Sequence, residues 1–212
     1  MTETLLTIVL RSLFVSGTAT LLAVLWSLPI AIKIGLGDFK GKKFVRSFFN
    51  AMMGVPTVAL GLTLYLIFSN QGVLGFLNLL LTPLAIIIGQ AILITPIVIS
   101  LLSNAIESVD PSVKDLALTL GASEDQASQA MLKEAKKGGV LAVVAGFNRA
   151  IAELGVALMV GGNLAGSTRV MTTEIARGVS SGDTGLAIQL TVVLLLIVLS
   201  LTFLINLLRG ED

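Results

Sequence analysis

A chain of 212 residues with 55% hydrophobic and 13% charged residues, against about 25% charged in an ordinary soluble domain, reads as a membrane protein. A net charge of +1 with no basic stripe argues against a nucleic-acid partner. The absence of cysteine and histidine excludes disulfides, thiol nucleophiles, imidazole bases and almost every transition-metal site, so no cofactor and no catalytic residue is expected.

The opening "MTETLLTIVLRSLFV" has neither a basic leader nor a small-x-small cleavage site, so no removable signal peptide is expected. A helix needs about 20 apolar residues to cross the hydrocarbon core with its backbone groups satisfied internally. The first predicted span covers 13–34. The basic loop after it includes "GLGDFKGKK" (35–43), which lacks the glycine gap and the hydroxyl after lysine that a phosphate-cradling loop requires.

The second predicted span, 48–68, contains "GVPTVALG". There Pro56 and Thr57 introduce a kink that serves either as a gate or as a fit to a neighbouring helix. The small residues Gly54, Gly61, Ala51 and Ala59 suit close helix approach. "GVLGFLNLLL" (72–81) reads as a short interfacial helix; Thr82 then caps a third span over 83–102, with Pro83 at its first position.

The polar interval before the fourth span reads as a helical hairpin. Asp110 and Pro111 open a helix whose Val113, Leu116, Ala117 and Leu120 share one face. Gly121 and Ala122 end it, and Ser123 with Gln126 forms a capping box for a second helix. Such a hairpin either lies on lipid headgroups or docks into a protein groove; its acids Asp110, Asp115, Glu124 and Asp125 favour the groove.

The fourth span, 139–160, carries Arg149 and Glu153, four residues apart and on one helical face. Each alone would cost about 2.5 to 3.5 kcal/mol to insert, so they face protein or water. They form either a packing pair or the border of a conduit in which Arg149 supplies positive potential. At the far end, "GGNLAGSTR" (161–169) is either a glycine-rich turn or a set of oxygen-ligand donors that includes Asn163 and Arg169. A fifth span covers 184–208. With no repeat or linker, 1–212 reads as one all-α membrane domain.

Lysine and arginine segregate between alternate loops. Lys33, Lys40, Lys42, Lys43 and Arg46, then Lys114, Lys133, Lys136 and Lys137, then Arg209 fall on one side, leaving Arg11, Arg169 and Arg177 on the other. The richer side is cytoplasmic, which puts the N-terminus outside and the C-terminus inside.

Asp115, Ala117, Gly121 and Ala122 stand where permease subunits of ATP-binding-cassette importers carry their glutamate-alanine-alanine loop, with glycine four residues after the second alanine. The segments "GFNRAIAELGVALMVGGNLAGSTRVMTTEIA" (146–176) and "GVPTVALGLTLYLIFSNQGVLGFLNLLLTP" (54–83) resemble the oxyanion branch of that family. They resemble most the tungstate permeases, with molybdate and sulfate permeases as relatives. Asp115 replaces the usual glutamate, Leu116 replaces the first alanine, and Lys133 and Lys137 stand where many relatives have proline.

The resemblance implies a type I importer permease fold. The loop of about 108–137 then meets a separate ATPase through Asp115, Leu116, Ala117, Gly121, Ala122 and Ser123. It also implies a homodimer in a prokaryotic cytoplasmic membrane, served by an extracytoplasmic oxyanion-binding protein. The pathway or gate candidates are Pro56, Thr57, Arg149, Glu153, Asn163 and Arg169. A tungstate permease is the expectation, with molybdate or sulfate as alternative cargo. A helical scaffold that recruits a cytoplasmic partner is the rival from another class.

Overall fold

The computed structural model describes residues 3–209, and every regular element among them is helical. α1 (Leu5–Leu36) begins where the Thr4 hydroxyl accepts the Thr7 amide at 3.4 Å, well before the predicted residue 13. The apolar run continues past Arg11 because Glu3 neutralises that guanidinium at 2.8 Å.

The predicted second span is not continuous. α2 (Lys42–Met52) and α3 (Thr57–Phe68) meet at 93°. Pro56 has no N–H for the helix ladder and bars the preceding Val55 from helical geometry, so the chain turns instead of kinking. α2 docks on the last turns of α4 (Pro83–Glu107) through polar groups. Lys42 and Arg46 pair with Glu107 at 2.9 and 2.6 Å, and Ser100 donates to Asn50 at 2.8 Å.

The predicted interfacial helix is only a 3-10 turn, Gly75–Leu77. Beyond it the backbone is pulled out of helical geometry: Asn78 and Leu81 have φ of 50° and 63°, and the Leu81 N–H donates to the Val160 carbonyl at 2.8 Å. α4 starts as the sequence predicts, with Thr82 accepting the Ala85 amide at 3.3 Å and Pro83 in the first turn.

After α5 (Ser112–Thr119) and α6 (Glu124–Glu134), the predicted fourth span is also divided. α7 (Lys136–Ile151) and α8 (Gly155–Gly161) differ in direction by 55°. α9 (Met171–Ser181), which the sequence did not suggest, precedes α10 (Thr184–Arg209). Among the described residues three helices, α1, α4 and α10, are long and apolar enough to cross a membrane, and the number rises to five if each bent pair counts as one span. α3 has 12 residues and a length of about 18 Å, short of the roughly 30 Å hydrocarbon core.

α4 is the centre of the bundle and α10 its periphery; the most apolar stretch is 67% buried in the first and 6% in the second. α1 runs parallel to α4, with Trp26 donating to Thr95 at 2.7 Å and Gly35 against Ile106. α7 crosses α4 at glycines: a β-carbon on Gly138 would lie 2.6 Å from Ala105, and one on Gly146 2.9 Å from Val98. In lipid, such close approach supplies the dispersion contact that the hydrophobic effect does not. Several hydroxyls in the spans are satisfied locally, as when Ser12 donates to the Ile8 carbonyl and Thr20 to the Ser16 carbonyl.

Candidate functional site

The two helix breaks meet. A β-carbon on Gly155 would lie 2.7 Å from the Thr57 hydroxyl and 3.1 Å from the Val58 nitrogen, so only glycine lets the start of α3 rest on the start of α8. Glu153 lies in the break between α7 and α8 and is 2% exposed. One carboxylate oxygen accepts the Val156 amide at 3.1 Å, capping α8; the other pairs with Arg149 at 2.5 Å. The i, i+4 pairing expected on one helix thus forms although the helix ends between the two residues. A cavity of about 390 Å³ opens here, lined by residues 57–58, 152–155, 158 and 159. Thr57 and Glu153 face it, whereas Arg149 reaches Glu153 from the preceding turn without lining it.

Asn163 and Arg169 belong to a different place. Arg169 lies 3.0 Å from Glu174 and 3.4 Å from Glu3; Asn163 donates to Glu174 at 3.3 Å and accepts from Thr173 at 2.8 Å. Arg177 makes two bonds to Glu174, and Arg11 joins Glu3 to the Arg169 carbonyl. Three guanidinium groups thus enclose two carboxylates, one of which, Glu174, is 1% exposed. α9 links this cluster to the break, because Thr172 donates to the Glu153 carbonyl at 2.8 Å.

Arg177, helped by Asn163 and Arg169, holds the Glu174 carboxyl below the usual carboxylate range despite its burial. A depressed folded-state value means stability that is fully present above the ordinary glutamate value of about 4.3. That stability is lost as pH falls through the folded value. Glu174→Gln is therefore expected to flatten the acid side of the thermal-stability profile, with a wild-type slope below about pH 5 that the variant lacks. Parallel profiles would remove Glu174 from that role.

The hairpin forms with the expected caps. Asp110 accepts the Ser112 amide at 2.8 Å, which lowers its carboxyl from the usual range. α5 ends in a paired turn, with Gly121 donating to the Leu118 carbonyl and Ala122 to the Ala117 carbonyl, both at 3.0 Å. Gly121 takes φ of +86°, a conformation that only glycine adopts without cost. Ser123 and Gln126 form the reciprocal box, and Lys114 bridges to Glu124 at 3.0 Å. Of the expected apolar face, Val113 packs on the body of the protein while Leu116 and Leu120 are 62% and 78% exposed.

The structure therefore gathers Thr57, Arg149 and Glu153 at one break, with Pro56 preceding α3, and places Asn163 and Arg169 in the ionic cluster. Asp115, Leu116, Ala117, Gly121, Ala122 and Ser123 lie on the exposed hairpin. Sequence reasoning missed Glu3, Arg11, Thr172, Glu174 and Arg177. The three-residue spacing of Glu174 and Arg177 was a usable signal; the tie to residues 3 and 11 spans too much chain to be read.

The chain is 38% identical over 205 residues to the tungstate uptake system permease protein TupB of Peptoclostridium acidaminophilum, covering 97% of this chain and 90% of that protein. The Campylobacter jejuni protein of the same name is 37% identical, with 81% and 72% covered. The fold is similar to a chain of the MetNI methionine ABC transporter in an inward-facing crystal form, with a TM-score of 0.76, 16% identity, and 96% and 94% covered. Residues 23–210 match the family of binding-protein-dependent transport system inner membrane components, and the chain belongs to that family.

Proposed function

We propose that the chain is the permease subunit of an ATP-driven importer that moves a tungstate-type oxyanion into the cytoplasm. The observation that carries the cargo is the 38% identity to a tungstate permease over 97% of the chain, which takes in both breaks and the hairpin. ATP hydrolysis belongs to a separate subunit. Its proposed contact is the hairpin around Asp115, Leu116, Ala117, Gly121, Ala122 and Ser123, whose exposed Leu116 and Leu120 offer an apolar face to a groove.

The cavity where the breaks meet is the proposed pathway, with Pro56 and Thr57 as the hinge of one wall and Glu153 in the other. Pairing with Arg149 keeps the local charge near neutral, so an anion passes without being trapped. Asn163 and Arg169, already engaged with Glu174, order the outer mouth. The cavity has walls from two segments only, which suits closure by a second copy; a homodimer also presents two hairpins to a pair of ATPases. Glu3, Arg11, Arg169 and Arg177 lie at one end, Lys42, Arg46 and Lys114 at the other. The second end is the proposed cytoplasmic face, with the N-terminus outside.

The test is uptake into proteoliposomes holding the permease, its ATPase and its extracytoplasmic binding protein. ATP-dependent accumulation of tungstate, competed by molybdate more than by sulfate, is expected. Accumulation of sulfate alone would overturn the cargo, and no ATP-linked anion movement would overturn the transport reading.

A further inference from the structure

The break between α7 and α8 does without two helix hydrogen bonds, and side chains replace both. In a continuous helix the Val156 and Ala157 amides would donate to the Ala152 and Glu153 carbonyls. Instead the Val156 amide donates to a Glu153 carboxylate oxygen at 3.1 Å. The Glu153 carbonyl, which accepts no backbone N–H among the described residues, accepts the Thr172 hydroxyl at 2.8 Å. Glu153 is buried, so loss of that hydroxyl would leave a buried carbonyl unsatisfied, a state that folded chains avoid. The nearest remedy is to rejoin the two helices, since "NRAIAELGVALMV" contains no proline to stop one.

Thr172 can hold the break because it is itself held. Hydroxyls such as those of Thr20, Thr95 and Thr191 donate to the carbonyl four residues back in their own helix. Thr172 is the second residue of α9, so the residue four back lies outside the helix and the hydroxyl reaches another element instead. Its neighbours fix the backbone that carries it. The Met171 amide donates to Ser12 of α1 at 2.8 Å, the Thr173 hydroxyl bonds Asn163 at 2.8 Å, and Arg169 and Arg177 pair with Glu174. The facing wall of the cavity has no such tie. α3 begins without a side-chain cap, and the turn before it is closed by local backbone bonds from Met53 to Asn50 and from Gly54 to Ala51.

We propose that Thr172 is a positioning residue for the pathway. Its hydroxyl keeps α7 and α8 from joining, so that 152–155 form the fixed wall of the cavity and the start of α3 forms the wall that moves. The consequence for transport rests on the pathway proposed above, whereas the geometric role stands apart from it.

Two readouts on the permease–ATPase complex test the inference. In Thr57→Cys the permease carries a single thiol, and its modification by a methanethiosulfonate without ATP is followed by the mass of the permease chain. Adding Thr172→Val should raise that rate about fivefold, the factor set by one lost hydrogen bond, as Gly155 leaves Thr57. Adding Thr172→Ser, which keeps the hydroxyl, should leave it unchanged, and Leu120→Cys on the hairpin should react alike in every background. In proteoliposomes with the binding protein, Thr172→Val should move about fivefold fewer tungstate ions per ATP hydrolysed, with the ratio kept in Thr172→Ser. Poor assembly alone would lower uptake and hydrolysis together and preserve the ratio. An unchanged thiol rate in Thr172→Val overturns the proposal, and a faster thiol with an unchanged ratio removes Thr172 from transport. Failure of both Thr172→Val and Thr172→Ala to assemble, where Thr172→Ser assembles, would make the hydroxyl a folding requirement and also overturn it. A faster thiol with no ATP-linked uptake even in the wild type would support the positioning and remove the transport reading.

Discussion

Arg149→Ala is expected to destabilise the protein by about 3 to 5 kcal/mol, because it strands a carboxylate with no counter-ion in a low-dielectric site. Glu153 is 2% exposed while Arg149 is 37% exposed, so the converse change, Glu153→Ala, leaves a guanidinium that is far less enclosed than the carboxylate. It should cost less, mainly the capping bond to Val156 at 3.1 Å, about 1 to 3 kcal/mol. The double alanine variant should then resemble Glu153→Ala and be more stable than Arg149→Ala alone. Thermal unfolding of the three purified variants measures this directly. Additive losses would show that the two residues do not act as a pair.

Gly121→Pro is expected to abolish ATPase attachment while leaving the membrane helices intact. The position has φ of +86° and its N–H donates to the Leu118 carbonyl at 3.0 Å. Proline fixes φ near −65° and has no N–H, a local penalty of about 3 kcal/mol or more. The hairpin is an exposed appendage, so the damage should stay there. Co-purification of the ATPase should fall at least about tenfold, which corresponds to roughly 1.4 kcal/mol of binding, with the melting of the permease itself little changed. Gly121→Asn, which tolerates the left-handed conformation, should retain the ATPase. Wild-type co-purification and transport in the proline variant would separate the hairpin from coupling.

The hairpin was legible in the sequence because its signals are local: Ser123 and Gln126 are three residues apart, and Gly121 marks the end of α5 by its own backbone freedom. The start of α4 at Thr82 and Pro83, and α10 from Thr184, were legible for the same reason. The breaks were not. Pro56 announced a disturbance, but a 93° turn depends on α2 finding polar partners at Glu107 and Ser100 on α4, which no local pattern records. The division of α7 from α8 was less visible still, since "NRAIAELGVALMV" is a good helical sequence. It breaks where Glu153 caps α8, Thr172 binds the Glu153 carbonyl and Gly155 admits α3. Each of those stabilising contacts comes from elsewhere in the fold or exists only once the break has formed. Glu3 and Arg11 looked like ordinary terminal charges until the fold brought them to Arg169.

The central claim is that the oxyanion passes where the two breaks meet, and Thr57 on the wall of that cavity gives the most direct test. The chain has no cysteine, so Thr57→Cys creates a unique thiol. In proteoliposomes with the ATPase and binding protein, the variant should take up tungstate, lose that uptake when a membrane-impermeant methanethiosulfonate converts the thiol to a mixed disulfide with release of methanesulfinate, and be protected while transport substrate is present. Complete modification of the thiol with uptake unchanged would contradict the account.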